Sequence, residues 1–344
     1  MSTLPARSDL EQLRHRAKEL LSAAKNGDGE AQTRIRAVSD RLTLASAQLA
    51  IAREHGFASW PKLRTEVERR KVLNGRDLAR LTKLLAEEPE LASTKLEHWH
   101  DHPKGAEPLG YIAMLRFDAR RLGLRGDLAG TGAVAKALLD AGAPVDGQPE
   151  DPETPLITAA SYGDAEVARV LIDAGADLEA NAAPDAGGVP GGTALLHAAV
   201  FGMTDVLDLL VAAGARVHSI EEAAAAGDVS RWLKPETPLE GRIRALVMAA
   251  DHQRLHVIDR LVEAGTRVDA VDAEFGRQAL RLAAQNGRPA SVRRLLTHGA
   301  DPTLRDEQGR TALDLCRPEH RYLDGPGHDE VEAILKPLAL SKWP

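Results

Sequence analysis

Five near-copies of one nine-residue phrase constrain this chain more than any other feature. They are LLDAGAPVD (138–146), LIDAGADLE (171–179), LVAAGARVH (210–218), LVEAGTRVD (261–269) and LLTHGADPT (295–303). Their glycines, Gly142, Gly175, Gly214, Gly265 and Gly299, lie 33, 39, 51 and 34 residues apart. A second phrase precedes all but the first: TPLITAA, TALLHAA, RALVMAA and QALRLAA, ending at Ala160, Ala199, Ala250 and Ala284 with spacings of 39, 51 and 34. Two landmarks that drift by the same increments identify a structural repeat of about 33 residues. A unit of that length cannot bury a core alone, so the units must stack. The 344 residues also exceed the ~250–300 at which one compact core stops growing.

Each unit reads as two helices. A threonine opens the first, with Pro155 following it in one copy, and paired small alanines permit close approach to the neighbouring unit. Gly163, Gly202 and Gly287 stand where a left-handed cap ends that helix. The second helix carries apolar side chains at helical spacing, such as Val167, Val170, Leu171 and Ile172, or Val292, Leu295 and Leu296. Aromatic residues make up only 3% of the chain, which suits stacked helices and disfavours sandwiches and barrels. The pattern resembles the ankyrin repeat, with its T-P-L-H-x-A signature, over roughly residues 107–316. The resemblance implies an all-α fold, an ankyrin-repeat solenoid of stacked helix–turn–helix units.

The departures are specific. Ile157, Leu196, Val247, Arg281 and Asp314 replace the signature histidine, and His197 falls one residue late. The spacing of 39 comes from a Gly/Pro-rich finger, NAAPDAGGVPGG (181–192), read as a mobile loop. The spacing of 51 holds an extra helix pair at 220–234, halted by Pro235. The enlarged loop GLRGDLAGTG (123–132) separates the helices of the first full repeat. Residues 1–76 form a helical N-terminal unit, with Leu10, Leu13, Ala17, Leu20 and Leu21 on one amphipathic face and Ser59 capping a later helix. Its run AQLAIAREHGFASWPKL is similar to the extension of many bacterial ankyrin-repeat proteins, which implies a bacterial source. The array then runs 77–344: a half-repeat at 77–106, repeats over 107–316, and a terminal cap at 317–344.

The search for chemistry yields imitations. Gly130–Ala135 fits the dinucleotide pattern G-x-G-x-x-A, but no strand–turn–helix context surrounds it. Cys316, the one cysteine, takes the place of a small packing alanine and excludes a disulfide framework. The alternative to a binding groove is a small-molecule or metal-dependent site, binding or enzymatic, built from the enlarged loops 94–107, 123–132 and 181–192, with the cluster HWHDH offering His98, His100 and His102 as metal ligands and no further ligand identifiable. His252 and His256 stand four apart across a turn. No cofactor is implied and no catalytic motif is intact, so the chain reads as non-enzymatic.

Charge divides the chain. Residues 1–76 hold 15 basic against 9 acidic side chains, while 77–344 hold 29 against 42. The acidic array argues against nucleic acid as a partner, leaving contact by the basic unit 1–76, with its cluster Arg69-Arg70-Lys71, as an alternative. No apolar run reaches the ~18 residues of a membrane span, and the start lacks a signal-like stretch, so the reading is cytoplasmic. The ankyrin resemblance implies a concave groove of finger tips and inner helices that binds a protein or peptide. Carried onto this sequence, its contact positions are Glu153, Ser161, Tyr162 and Asn181, then Val200, Phe201, Asp251 and His252. Further along come Arg277, Gln285, Asn286, Arg305, Glu307, Gln308 and Arg310. Tyr162 and Phe201 are the favoured anchors, or else they pack on each other.

Overall fold

The computed structural model describes Leu4 and residues 8–96, 106–124, 128–321 and 327–340. Among these the structure is helical, with three isolated bridges and no strand. The chain divides into two compact units, Met1–Ala176 and Asp177–Pro344.

The first unit opens on helices Leu10–Lys25, Gly29–Arg36, Leu44–Glu54 and Trp60–Gly75. Three of these starts are set by polar caps: Asp9 accepts from Glu11 N and Gln12 N, Asp28 from Ala31 N, and Thr43 from Ser46 N. The predicted Ser59 cap is present as well, accepting from Lys62 N at 3.4 Å. The apolar face read from the sequence is the buried one, with Leu13, Ala17 and Leu20 packed among Ile35, Ala47, Ile51 and Leu63. Helix Trp60–Gly75 adds a buried ion cluster. Glu66 accepts from Arg69 at 2.5 and 3.0 Å and from Arg70 at 2.7 Å. Arg69 also donates to the carbonyls of Leu91, Thr94 and Lys95. Arg69 and Arg70 are therefore internal clamps, and of the cluster Arg69-Arg70-Lys71 only Lys71 is on the surface.

Repeat-like pairs follow within the same unit: Leu78–Glu87 with the 3-10 turn Pro89–Ala92, Pro108–Ala113 with Thr131–Asp140, and Pro155–Tyr162 with Ala165–Asp173. The sequence-derived boundary at 76/77 falls inside this unit. An added helix, Leu115–Leu122, continues the chain beyond a break at Met114.

The second unit contains the pairs Ala194–Val200 with Thr204–Ala212, Leu239–Asp251 with Leu255–Glu263, and Ala279–Gln285 with Pro289–Thr297. The predicted helix pair at 220–234 is a single helix, Ile220–Ala226. Gly227 turns left-handed at φ +100, and the following residues form turns, tied by Thr237 Oγ1 to Trp232 O and by Lys234 N to Thr237 Oγ1. Helix Gly327–Leu340 closes this unit, as the terminal cap requires. It buries Val331 and Leu335, and Cys316 is buried beneath it, its Sγ 3.3 Å from His328 O.

Candidate functional site

Stacked helix pairs leave two kinds of polar group at their edges: the carbonyls that end each inner helix, and the side chains of the turns between pairs. In the second unit, neighbours satisfy the carbonyls. His252 Nε2 pairs with Ala199 O at 2.9 Å, Arg254 donates to Ala225 O at 2.7 Å, Arg288 to Gly202 O at 2.6 Å, and His328 Nε2 pairs with Gln285 O at 2.9 Å. Asp251 accepts from Asn286 at 2.8 Å and from Arg288 at 3.3 Å. His252 Nδ1 also meets Thr204 Oγ1 at 2.9 Å, and burial lowers its pKa below the ordinary 6.5. Asp251, His252 and Asn286 are all buried. The structure thus places three expected contact residues inside the stack, as staples between pairs. His256 is committed elsewhere, to Gly227 O at 2.7 Å, so the His252/His256 pair does not converge.

The turns present the exposed chemistry. The loop 181–192 is closed at its base by the Asn181–Thr193 bridge and by Ala182 N donating to Gly192 O at 2.9 Å. It folds back onto its own helix. His197 Nε2 meets Val189 O at 3.0 Å, and a Cβ on Gly188 would stand 3.4 Å from both the His197 and Phe201 rings. The finger read as mobile is therefore pinned, and the displaced histidine does the pinning. His197 and Phe201 pack edge to face with centroids 6.0 Å apart. A cavity of about 290 Å³ beside this loop is lined by residues including Asn181, Leu196, Arg216, His218 and Glu222. Its charges are satisfied internally: Glu179 accepts from Arg216 N and His218 Nε2, and Glu222 from His218 N.

Two later turns are stiffened by aspartates. Asp272 accepts from Glu274 N and Phe275 N, which holds Phe275 60% exposed with the Arg277 guanidinium 5.4 Å from its ring centroid. Asp306 accepts from Gln308 N, Arg310 N and Arg310 Nε. This leaves Arg305, Glu307 and Gln308 exposed. Gln285 is half-buried and donates to His320 O, while Val200 is half-buried on its helix.

In the first unit Ser161 is buried and bonds its own helix at Ile157 O. Tyr162 stacks on Phe117, so each favoured anchor has a ring partner within its own unit. The dinucleotide-like glycines do sit at a helix N-terminus, but its donors are taken: Gly130 N and Gly132 N both donate to Glu166 Oε2, at 2.9 and 3.2 Å. An anion fills that terminus, and it is a side chain of this protein.

The sequence model described as "Ankyrin repeats (3 copies)" matches residues 128–221 and 242–322, together just over half of the chain. The chain belongs to the ankyrin-repeat family. Ankyrin repeat and SAM domain-containing protein 6 of Danio rerio is 32% identical over 144 residues, 39% of this chain and 20% of that protein. The E3 ubiquitin-protein ligase Ufd4 of Drosophila melanogaster is 43% identical over 82 residues, 24% of this chain and 3% of that protein. The chain thus spans a fifth or less of these curated relatives. The human ASB11 ankyrin repeat domain is similar at 22% identity and a TM-score of 0.37, covering 80% of this chain and 97% of that one.

His98, His100 and His102 lie outside the described residues. Among the described residues no group of three metal-ligating side chains converges, and no helix is long and apolar enough to cross a membrane. Among the described residues Phe117 and Phe275 are the exposed aromatics that sequence reading missed. Phe117 has no counterpart in the other ankyrin units, whereas Phe275 stands where the next finger has Gln308, a position already read as a contact; the rarity of aromatics in this chain was a further signal for both.

Proposed function

We propose that this chain is a non-catalytic adaptor that holds a protein or peptide partner on its fingers and inner helices. Ankyrin repeats generally mediate protein–protein interaction. The observation that carries the reading here is Phe275: a large apolar side chain, 60% exposed, on a turn that Asp272 fixes by two backbone hydrogen bonds. Holding an aromatic ring in water on a rigid support gains nothing for the fold, whereas aromatic and arginine anchors dominate interface energies. Arg277, Arg305, Glu307, Gln308 and Arg310 would surround it as a polar rim, with Asn181, Val200, Phe201 and Gln285 as further contacts. The single buried, unpaired cysteine supports a reducing compartment such as the cytoplasm.

A photo-crosslinking residue at position 275 tests this, with position 263 on an outer helix as control. A discrete adduct from 275 alone, lost on Arg277→Ala with helicity intact, is the expected result. Equal adducts from both positions, or none from 275, would overturn the proposal.

A further inference from the structure

The first unit presents an aromatic pair that its own packing does not consume. Phe117, on the added helix Leu115–Leu122, is 68% exposed. Its ring centroid lies 4.8 Å from that of Tyr162, the planes tilted by 32°. The added helix is held in place: Arg116 Nε stands 3.2 Å from Asp164 Oδ2, and Asp164 caps helix Ala165–Asp173 through Val167 N. The rings are therefore offered on a fixed support.

A carboxylate completes the arrangement. Glu153 meets Thr158, which stands one turn before Tyr162 on helix Pro155–Tyr162, and burial raises its own carboxyl above the ordinary 4.5. Its hydrogen bond is a long one, 3.5 Å from Thr158 Oγ1, and it pairs with no cation among the described residues. Asp118 acts on Tyr162, but Arg121 neutralises it at 2.8 Å. A half-buried carboxylate without a cation, near the exposed Phe117 ring, is the complement of a weakly hydrated planar cation. Acidic and basic side chains nearly balance over Met1–Ala176, 26 against 25, so the attraction is local to Glu153.

We propose that Phe117, Tyr162 and Glu153 form a receptor for an arginine side chain of the partner protein. The guanidinium stacks on the aromatic pair and donates to the Glu153 carboxylate. Arginine is preferred to lysine because its flat, delocalised cation meets a ring face and a carboxylate together at smaller desolvation cost. This subsite rests on the reading of the chain as a partner-binding array.

The test is a titration of N-acetyl-arginine amide into the full chain carrying ring-labelled phenylalanine and tyrosine, followed by NMR. With four phenylalanines and three tyrosines in the chain, Phe117 and Tyr162 are assignable by single substitutions. The other phenylalanines report whether each variant stays folded. Saturable shifts at both rings are expected, weakened about fivefold or more in Glu153→Gln, with no saturable shift from N-acetyl-glutamine amide. No saturation with arginine, unchanged affinity in Glu153→Gln, or equal binding of the glutamine probe would overturn the proposal. If the titration is silent while position 275 still cross-links a partner, the receptor falls and the adaptor stands. Saturation without any adduct leaves a cation site and removes the adaptor.

Discussion

Replacing Glu107 with glutamine should stabilise the first unit at alkaline pH and do progressively less as pH falls. Glu107 is 7% exposed, and its Oε2 has no hydrogen-bond partner. Burial, reinforced by the nearby Asp151 carboxylate and only partly offset by Lys95, pushes its pKa from 4.5 up to about 7. A carboxyl raised on folding contributes its full stability below the unfolded value and loses it as pH climbs through the folded one. Ionising Glu107 in place thus costs the folded state about 3 kcal/mol at high pH, from 1.36 kcal/mol per unit. About 1 kcal/mol of that is already lost by pH 5.5, which leaves about 2 kcal/mol between pH 5.5 and 8.5. For a unit of this size that corresponds to about 4–8 °C in melting temperature. Calorimetry of both proteins at pH 5.5, 7 and 8.5 measures it. Glu107→Gln should melt higher by that margin at pH 8.5 than its advantage at pH 5.5. An advantage independent of pH, or a variant less stable at pH 8.5, would refute the account of Glu107 as a desolvated, unpaired carboxyl.

Two further substitutions probe the turns of the second unit. Gln253 adopts φ +54 where the equivalent turns use Gly202 and Gly287, so Gln253→Gly should stabilise by about 0.5–1 kcal/mol, read from urea unfolding midpoints. Gly202→Ala should destabilise by about 2–4 kcal/mol. Gly202 has φ +71, and a Cβ there would stand 2.6 Å from Asp251 Oδ2, a carboxylate that Asn286 and Arg288 hold in place. An unchanged midpoint in that variant would show that the Asp251 staple yields freely.

The repeat was legible because it depends on periodic, redundant signals: alanines for close approach, a threonine cap and a left-handed turn. Thr154 and Thr193 cap as the phrase predicts, accepting from Ile157 N and Leu196 N. The closing helix was legible too, since an apolar face at the end of a stack has only one use. What escaped were the parts without periodicity. Helix Leu115–Leu122 has no counterpart in the other units, so alignment of repeats could not place Phe117 against Tyr162. Within 220–234, helical composition concealed how early Gly227 ends the helix. The order of loop 181–192 depends on His197 meeting Val189 O, a contact between a loop and the helix it leads into that composition does not encode.

The contact positions show why a departure from the consensus is weak evidence for binding. Asp251, His252 and Asn286 depart from the repeat as visibly as Arg305 or Glu307 do, yet they are buried and tie neighbouring pairs together. Inner-helix carbonyls at a repeat junction lack intrahelical donors, and here side chains of the neighbouring element meet them. A donor must come from the next pair, and imidazole or guanidinium at the turn reaches furthest. Because spacing varies at 39 and 51 residues, each junction has its own geometry and requires its own side chain, so the staples differ from repeat to repeat much as binding residues would. Donor-bearing side chains at the C-terminal turn of an inner helix should therefore be assigned first to the stack. Those on finger turns with aspartate-fixed backbones, such as Phe275 and Arg305, have no such duty, and they are the positions where variation is free to serve a partner.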